Sequence, residues 1–382
     1  MCKRLCIFSI FDKEGKIDDY VLYVLHDIRK VCERLIIVIN GFVDTDGLDK
    51  LGAYTNEICI RDNVGYDAGA YKHVLRNYLQ ENELLDYDEV VFCNDTFFGP
   101  ITSFEIIFDC MKDRTCDFWG LHGYLNVIFS YVESYFLVFR KEIIQEKLLE
   151  VYFDKYINEN AVSIFEVYCQ FESGLFDYLV RQNQKTYSVY ADDINVHIYR
   201  STYLCLTKYN LPIMKKKAFS VFDEIADDIM CTLGHIKYET EYDVNLILES
   251  VRRIYGVNIL LEEIPPIDNA TSSLKVVDVP IPLVTEEEVE RFIGEDKFYI
   301  YGAGMYAHKT FWRFAKGNDH FQGFIVSDGE KDNATHLFNK AIYPFSQVKD
   351  IYDSKVILGV VKENAQEIIK KFEKTDNVLR LY

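Results

Sequence analysis

Over its first two hundred residues the chain alternates short apolar runs with stretches of helical periodicity, and that alternation admits few folds. A strand, an amphipathic helix and a second strand make a βαβ unit, and repeating it gives a largely parallel sheet covered by helices. Apolar runs at 5–10, 35–39, 58–60, 89–93, 118–121, 135–139 and 186–190 read as strands. Between them, Val21, Leu25, Ile28 and Val31 share one face of a helix opened by Asp18 or Asp19, and Phe104, Ile107, Phe108 and Met111 share another. Longer helical stretches over 141–156 and 162–182 precede the last of these strands. From 201 to 264 the pattern is helical, with Val244, Ile247, Leu248, Val251 and Ile254 on one face, and is read as a bridging region. Pro265-Pro266 and Pro280-Ile281-Pro282 mark a linker over 265–285, after which a compact α/β module fills 286–382. The fold expected is α/β: a Rossmann-type, mixed but mostly parallel sheet over 1–200, a helical bridge, and a second small Rossmann-like domain.

The densest chemistry lies in Arg61-Asp62-Asn63-Val64-Gly65-Tyr66-Asp67-Ala68-Gly69-Ala70-Tyr71-Lys72, where charged groups and two glycines open a helix. Gly65 and Gly69 let a backbone approach a ligand closely, and a helix starting there aims free N–H groups at an anion. Soon after comes the apolar strand 89–93, ending in Asn94-Asp95-Thr96. Ligands of open α/β sheets collect at strand carboxyl ends, so Asp95 stands where one metal-binding carboxylate would sit, with Asn94 beside it. The plainer reading is a glycine-bearing turn and an acid that ends a strand. Both segments in this order favour a nucleotide-sugar pocket.

Composition excludes other classes. A net charge of −19 argues against a nucleic-acid partner, which selects basic faces. It leaves room for an anionic sugar nucleotide, because a divalent cation and a few placed cations neutralise a diphosphate locally. The ten cysteines include no Cys-x-x-Cys pair and read as reduced core residues, and the histidines have no paired zinc-ligand spacing. With no apolar run of membrane-helix length, a cytoplasmic protein is expected, with peripheral membrane contact at most. Lys215-Lys216-Lys217 is the one compact basic run; it reads as a solvated patch or as a contact for a membrane surface or an acceptor's phosphate.

Five blocks of the sequence together resemble the rhamnan synthesis protein F family: Asp18-Asp19-Tyr20-Val21-Leu22-Tyr23, residues 63–72, Asn94-Asp95-Thr96-Phe97-Phe98-Gly99-Pro100, Asp117-Phe118-Trp119-Gly120, and Glu133-Ser134-Tyr135-Phe136-Leu137-Val138-Phe139. The resemblance spans roughly residues 1–220 and implies a GT-A-like glycosyltransferase. It implies a rhamnosyl donor, most simply dTDP-rhamnose, and a growing cell-surface polysaccharide as acceptor. The chain departs from the family pattern at Ile10, at Ala68, and at Tyr131 and Glu133, and the first and last of these departures bear on donor and acceptor identity.

Transfer from a nucleoside diphosphate needs a cradle for the nucleotide, a cation to offset the leaving charge and, for inversion, a base. Asp12, Arg61, Asp62, Asn63, Gly65, Asp67, Gly69 and Asn94 are the donor-binding candidates; Asp12 reads equally as a turn acid and Asp67 as a first-turn helix acid. Asp95 is the candidate ligand of Mg or Mn, which keeps several waters and takes only one or two carboxylates. Trp119 and His122 are acceptor-binding candidates, since aromatic faces suit the apolar side of a pyranose, against a buried Trp and a loop His. The resemblance places a catalytic Glu at Glu172, with Gly174 expected to break the helix beyond it. Glu166 is the rival, and at about 100° per residue the two acids point about 120° apart. A saccharide or lipid-linked saccharide is the acceptor implied.

In the last module, Gly302-Ala303-Gly304-Met305-Tyr306-Ala307 follows a strand and resembles a dinucleotide-binding turn, with Asp328 as ribose acceptor. Packing of helix on strand explains the same glycines. An NAD-dependent oxidoreductase is the reading this turn would support, but NAD is disfavoured because no Tyr-x-x-x-Lys follows. A catalytically silent sugar-binding or scaffold protein is the other alternative.

Overall fold

The computed structural model describes residues 2–124, 130–161, 163–192, 194–266, 274, 276–278, 283–329, 335–360, 362–372 and 375–382. The chain divides into a unit ending at Val279 and a second beginning at Pro280.

The first unit is built on a seven-stranded sheet in the spatial order Tyr187–Val189, Phe118–Gly120, Phe136–Arg140, Glu89–Asn94, Arg4–Ile10, Arg34–Asn40, Ile58–Arg61. Phe136–Arg140 runs antiparallel to both neighbours, and the other pairs are parallel. Central strands of such a sheet are covered on both faces, which explains why Glu89–Asn94 is buried along its whole length. On one face Tyr71 stacks on Phe92 with ring centres 4.3 Å apart. On the other, Phe104 stacks on Phe136 at 4.8 Å.

Local chemistry refines several expectations. Asp18 stands at the N-cap of the helix Asp19–Val31 but makes no capping bond; its carboxylate receives Arg253 instead. The stretch 141–156 is two helices, Lys141–Gln145 and Leu148–Tyr156. From Ile164 to Gln182 the helix runs on through alternating α and π turns. Gly174 lies within it at helical φ −69° and ψ −42°, so the expected break is not there. A Cβ at Gly174 would meet the Tyr152 hydroxyl at 2.5 Å, and close approach explains the glycine. Residues 201–264 also differ from a bridge. Cys205, Leu211, Ile213, Phe219, Ile229, Leu233 and Val251 join one apolar cluster with Val91, Cys93 and Trp119, completing the first core. Part of the proline-marked segment 265–285 lies outside the described residues, though Val277 and Asp278 bond to His197, Ser201 and Val196 of the first unit.

The second unit has a six-stranded sheet in the order His336–Leu337, Lys340–Pro344, Phe321–Val326, Phe298–Tyr301, Lys355–Leu358, Val378–Arg380, parallel except for the first pair. Its helix Glu286–Ile293 begins with a capping box between Thr285 and Glu288.

Candidate active site

The strand Glu89–Asn94 delivers Asn94-Asp95-Thr96 to the carboxyl end of the first sheet, and the next two residues, Phe97–Phe98, pair antiparallel with Met214–Lys215. That short pairing carries the basic run to the strand end. Asp95 is buried; its Oδ2 accepts from the Tyr20 hydroxyl at 3.2 Å and pairs with Lys216 Nζ at 3.2 Å. Lys215 approaches the next residue, donating to Thr96 Oγ1 at 2.8 Å while its Nζ stands 4.1 Å from the centre of the Tyr135 ring. Asn94 locks the two principal sequence blocks together. Its Nδ2 donates to Asp67 Oδ2 at 2.9 Å, and its Oδ1 accepts from the Thr96 N–H and hydroxyl.

Burial dominates the electrostatics here. It raises the Asp67 pKa above the usual carboxylate value, although Asn94, nearby backbone N–H groups and Lys215 act the other way. It lowers the Lys215 pKa, against the opposing pull of Glu133, Glu172 and Asp67. His122 is fully buried, neither ring nitrogen has a partner, and burial with the neighbouring Lys215 charge pushes its pKa down to about 3. The buried Tyr135 hydroxyl is also unpartnered. Buried polar atoms are ordinarily satisfied, so these groups, the half-buried Lys215 and the neighbouring carboxylates mark a polar site and not a piece of core.

The acid Glu172 faces this rim. Ser134 Oγ donates to Glu172 Oε1 at 2.8 Å, one residue before Tyr135. Glu172 lies on the π turn Tyr168–Ser173, a helix irregularity often found at functional sites. Glu166 points elsewhere and accepts from Asn158 and Gln170 at 3.1 and 3.0 Å.

Other candidates have structural tasks. Arg61 braces the loop before the helix Tyr66–His73, bonding Asn40 Oδ1 at 2.6 Å and the Val64 carbonyl at 2.7 Å; Asp62 is exposed and Asn63 half-buried in that loop. Gly65 has φ +67°, and a Cβ on it would meet the Glu159 carbonyl at 2.8 Å. A Cβ on Gly69 would meet the Val64 carbonyl at 2.6 Å. Both glycines thus fit the chain to itself. The Asp12 carboxylate is held by Arg253 at 2.6 Å together with Asp18, and by the backbone N–H groups of Glu14 and Lys16. Trp119 is fully buried, with its ring 5.0 Å from Phe108 and 5.9 Å from Phe136, so it offers no face to a sugar; the apolar strand pattern around it forces it inward.

In the second unit the glycine turn also serves packing. Gly302 has φ +117° and a Cβ there would strike the Gly359 carbonyl at 2.8 Å, while Gly304 has open space around it. Asp328 accepts from the Ser346 N–H and hydroxyl at 3.0 and 2.8 Å, which engages the carboxylate meant for a ribose.

Around Asp95 no protein ligand set for a divalent cation is preformed among the described residues. Asp95 Oδ2 holds an ammonium and a phenol, both ends of the Asn94 amide are engaged, and among the described residues no three His, Cys, Asp or Glu converge as a metal set.

Residues 35–277 match the family described as rhamnan synthesis protein F, nearly two thirds of the chain. The chain belongs to that family. A sugar-transferring or nucleotide-sugar role follows from this membership. No curated protein matches the chain. Among solved structures it is similar to HddC from Yersinia pseudotuberculosis, at 13% identity over 49% of this chain and 89% of that one, TM-score 0.30. It is similar also to a putative nucleotide-diphospho-sugar transferase from Desulfovibrio desulfuricans G20, at 17% identity over 49% and 79%, TM-score 0.28. The apo-form glycosyltransferase GlyE of Streptococcus pneumoniae TIGR4 matches at 9% identity over 100% and 91%, TM-score 0.32. Likenesses this loose carry no argument. No helix among the described residues of this rhamnan synthesis protein F member is long and apolar enough to cross a membrane.

Proposed function

We propose that the first unit is a glycosyltransferase that moves a sugar, rhamnose in the simplest reading of the family, from a nucleoside diphosphate to a hydroxyl of a growing surface polysaccharide. The observation that carries this is the convergence at one strand end of Asp67, Asn94 and Asp95 with Lys215, Lys216 and the Ser134-held Glu172. In an inverting transfer the acceptor oxygen attacks the anomeric carbon from one face, and the bond from that carbon to the diphosphate oxygen breaks on the other. The electron pair leaves with the diphosphate. Glu172 takes the acceptor hydroxyl's proton, a task for a rim carboxylate that supplies about 10²–10⁴ in rate. His122, fully buried with neither ring nitrogen bonded, is the acceptor-side candidate that keeps unused hydrogen-bonding capacity near Lys215. The acceptor, a saccharide free or lipid-linked, reaches the site from the cytoplasmic side of the membrane. Product formation from a panel of dTDP-, UDP- and GDP-sugars tests the reading: turnover of dTDP-rhamnose above the rest supports it, and no turnover or binding of any donor ends it.

A further inference from the structure

Strand ends of α/β enzymes that discharge a diphosphate must place positive charge at the leaving oxygens, since two phosphates depart carrying the bond's electron pair. In this chain the cations beside Asp95 and Thr96 are lysines. Lys216 Nζ lies 3.2 Å from Asp95 Oδ2 and also receives the Tyr20 oxygen as a neighbour, so the ammonium is fixed by a carboxylate and a phenol, both buried. Lys215 is anchored on the other side of the same turn by Thr96 Oγ1 and the Tyr135 ring face. The backbone sets this arrangement: Lys216 N–H donates to the Thr96 carbonyl at 3.1 Å, and Lys215 pairs with Phe97 across the two-stranded ribbon. The strand ends at Lys215 and a 3-10 helix begins at Lys216, so the two ammonium groups reach neighbouring residues, Lys216 to Asp95 and Lys215 to Thr96.

We propose that Lys216, with Lys215, takes the place of a divalent cation in this enzyme: Asp95 orients an ammonium instead of a metal, and the leaving diphosphate is stabilised by charge-assisted N–H bonds. This rests on the glycosyltransferase reading of the same rim. No proton need move, because an ammonium donates hydrogen bonds to phosphate oxygens without giving up a proton. The half-buried position of Lys215 is consistent with the role, since its ammonium stays open to an anion that arrives. The flanking acids Glu133, Glu172 and Asp67 oppose the lowering of its pKa by burial.

The test uses the full chain stripped of metal with EDTA, and dTDP, UDP and GDP as probes in calorimetry. The proposal expects a nucleoside diphosphate to bind with an affinity that changes less than about threefold when Mg²⁺ or Mn²⁺ is added. It expects the electron paramagnetic resonance signal of free Mn²⁺ to persist in the presence of protein. Lys216→Gln should weaken diphosphate binding about 10- to 100-fold, the effect of a lost charged hydrogen bond, and leave binding of the uncharged nucleoside unaltered; Lys216→Arg should restore much of it. Binding that appears only with metal, or strengthens tenfold with it, overturns the lysine assignment and leaves the transferase reading standing. Absence of nucleotide binding under every condition overturns both. Should Lys216→Gln fail to fold, the metal titration of the parent protein still decides.

Discussion

Ser134 Oγ lies 2.8 Å from Glu172 Oε1 and donates to it, tying an acid on a π turn to a residue two positions before the antiparallel strand Phe136–Arg140. The bond holds one carboxylate oxygen of Glu172 at the rim that Lys215 also reaches. Glu172→Gln should therefore retain nucleotide affinity within a few-fold and lose about 10²–10⁴ in turnover. Glu166→Gln, which alters only a surface brace to Asn158 and Gln170, should turn over at the parental rate. The reverse pattern would move the base to Glu166.

Gly69 tests the glycine-bearing helix start as architecture. A methyl there would press on the Val64 carbonyl at 2.6 Å and on the Arg61 guanidinium, neither of which is free to retreat. Gly69→Ala is expected to lower stability by about 1–3 kcal/mol, the usual cost of overpacking. Chemical denaturation measures this, and an unchanged midpoint would show that the loop yields.

Much of the first unit was legible because its strands are continuous apolar runs and its helices keep one face. The meeting of residues 63–72 with 94–96 followed from placing both at strand ends, and the Asp67–Asn94 bond is that meeting in atomic form. The lysines were not legible. Lys216 reaches Asp95 across 121 positions through a ribbon only two residues long per strand, and no periodicity shows in so short an element. The turn at Gly302 and Gly304 stayed ambiguous for a related reason: a turn that fits helix to strand uses the same residue type as one that fits backbone to phosphate, and the contact with Gly359 speaks for packing at Gly302 alone.

His122 makes stability depend on pH. Its pKa, about 3 in the fold, lies below the 6.5 of an exposed imidazole, so between those values the unfolded chain binds a proton that the folded chain refuses. The contribution is complete above about pH 6.5 and is lost as pH falls toward 3, at a slope of about 1.4 kcal/mol per unit. His122→Gln cannot titrate there. Relative to the parent, the variant should lose less stability between pH 7 and 5 in urea melts. Parallel curves for the two proteins would mean that the imidazole finds a partner and stays protonatable.

The division of the chain predicts where it can be cut. Residues 201–264 contribute Ile213, Phe219, Ile229 and Leu233 to the cluster that holds Val91 and Cys93, directly beneath the strand ending at Asp95. Truncation after 200 would strip that cluster of a whole wall, and an insoluble product is expected. Truncation after Val279 keeps the wall, and also keeps Val277 and Asp278 on the bonds they make to His197, Ser201 and Val196. Cores with separate apolar clusters can fold apart. The fragment 1–279 should therefore melt cooperatively and bind the nucleoside diphosphate within about threefold of the full chain, a change of under 1 kcal/mol. Loss of nucleotide binding from a folded fragment would move the donor site to the second unit, despite the engagement of Asp328 by Ser346.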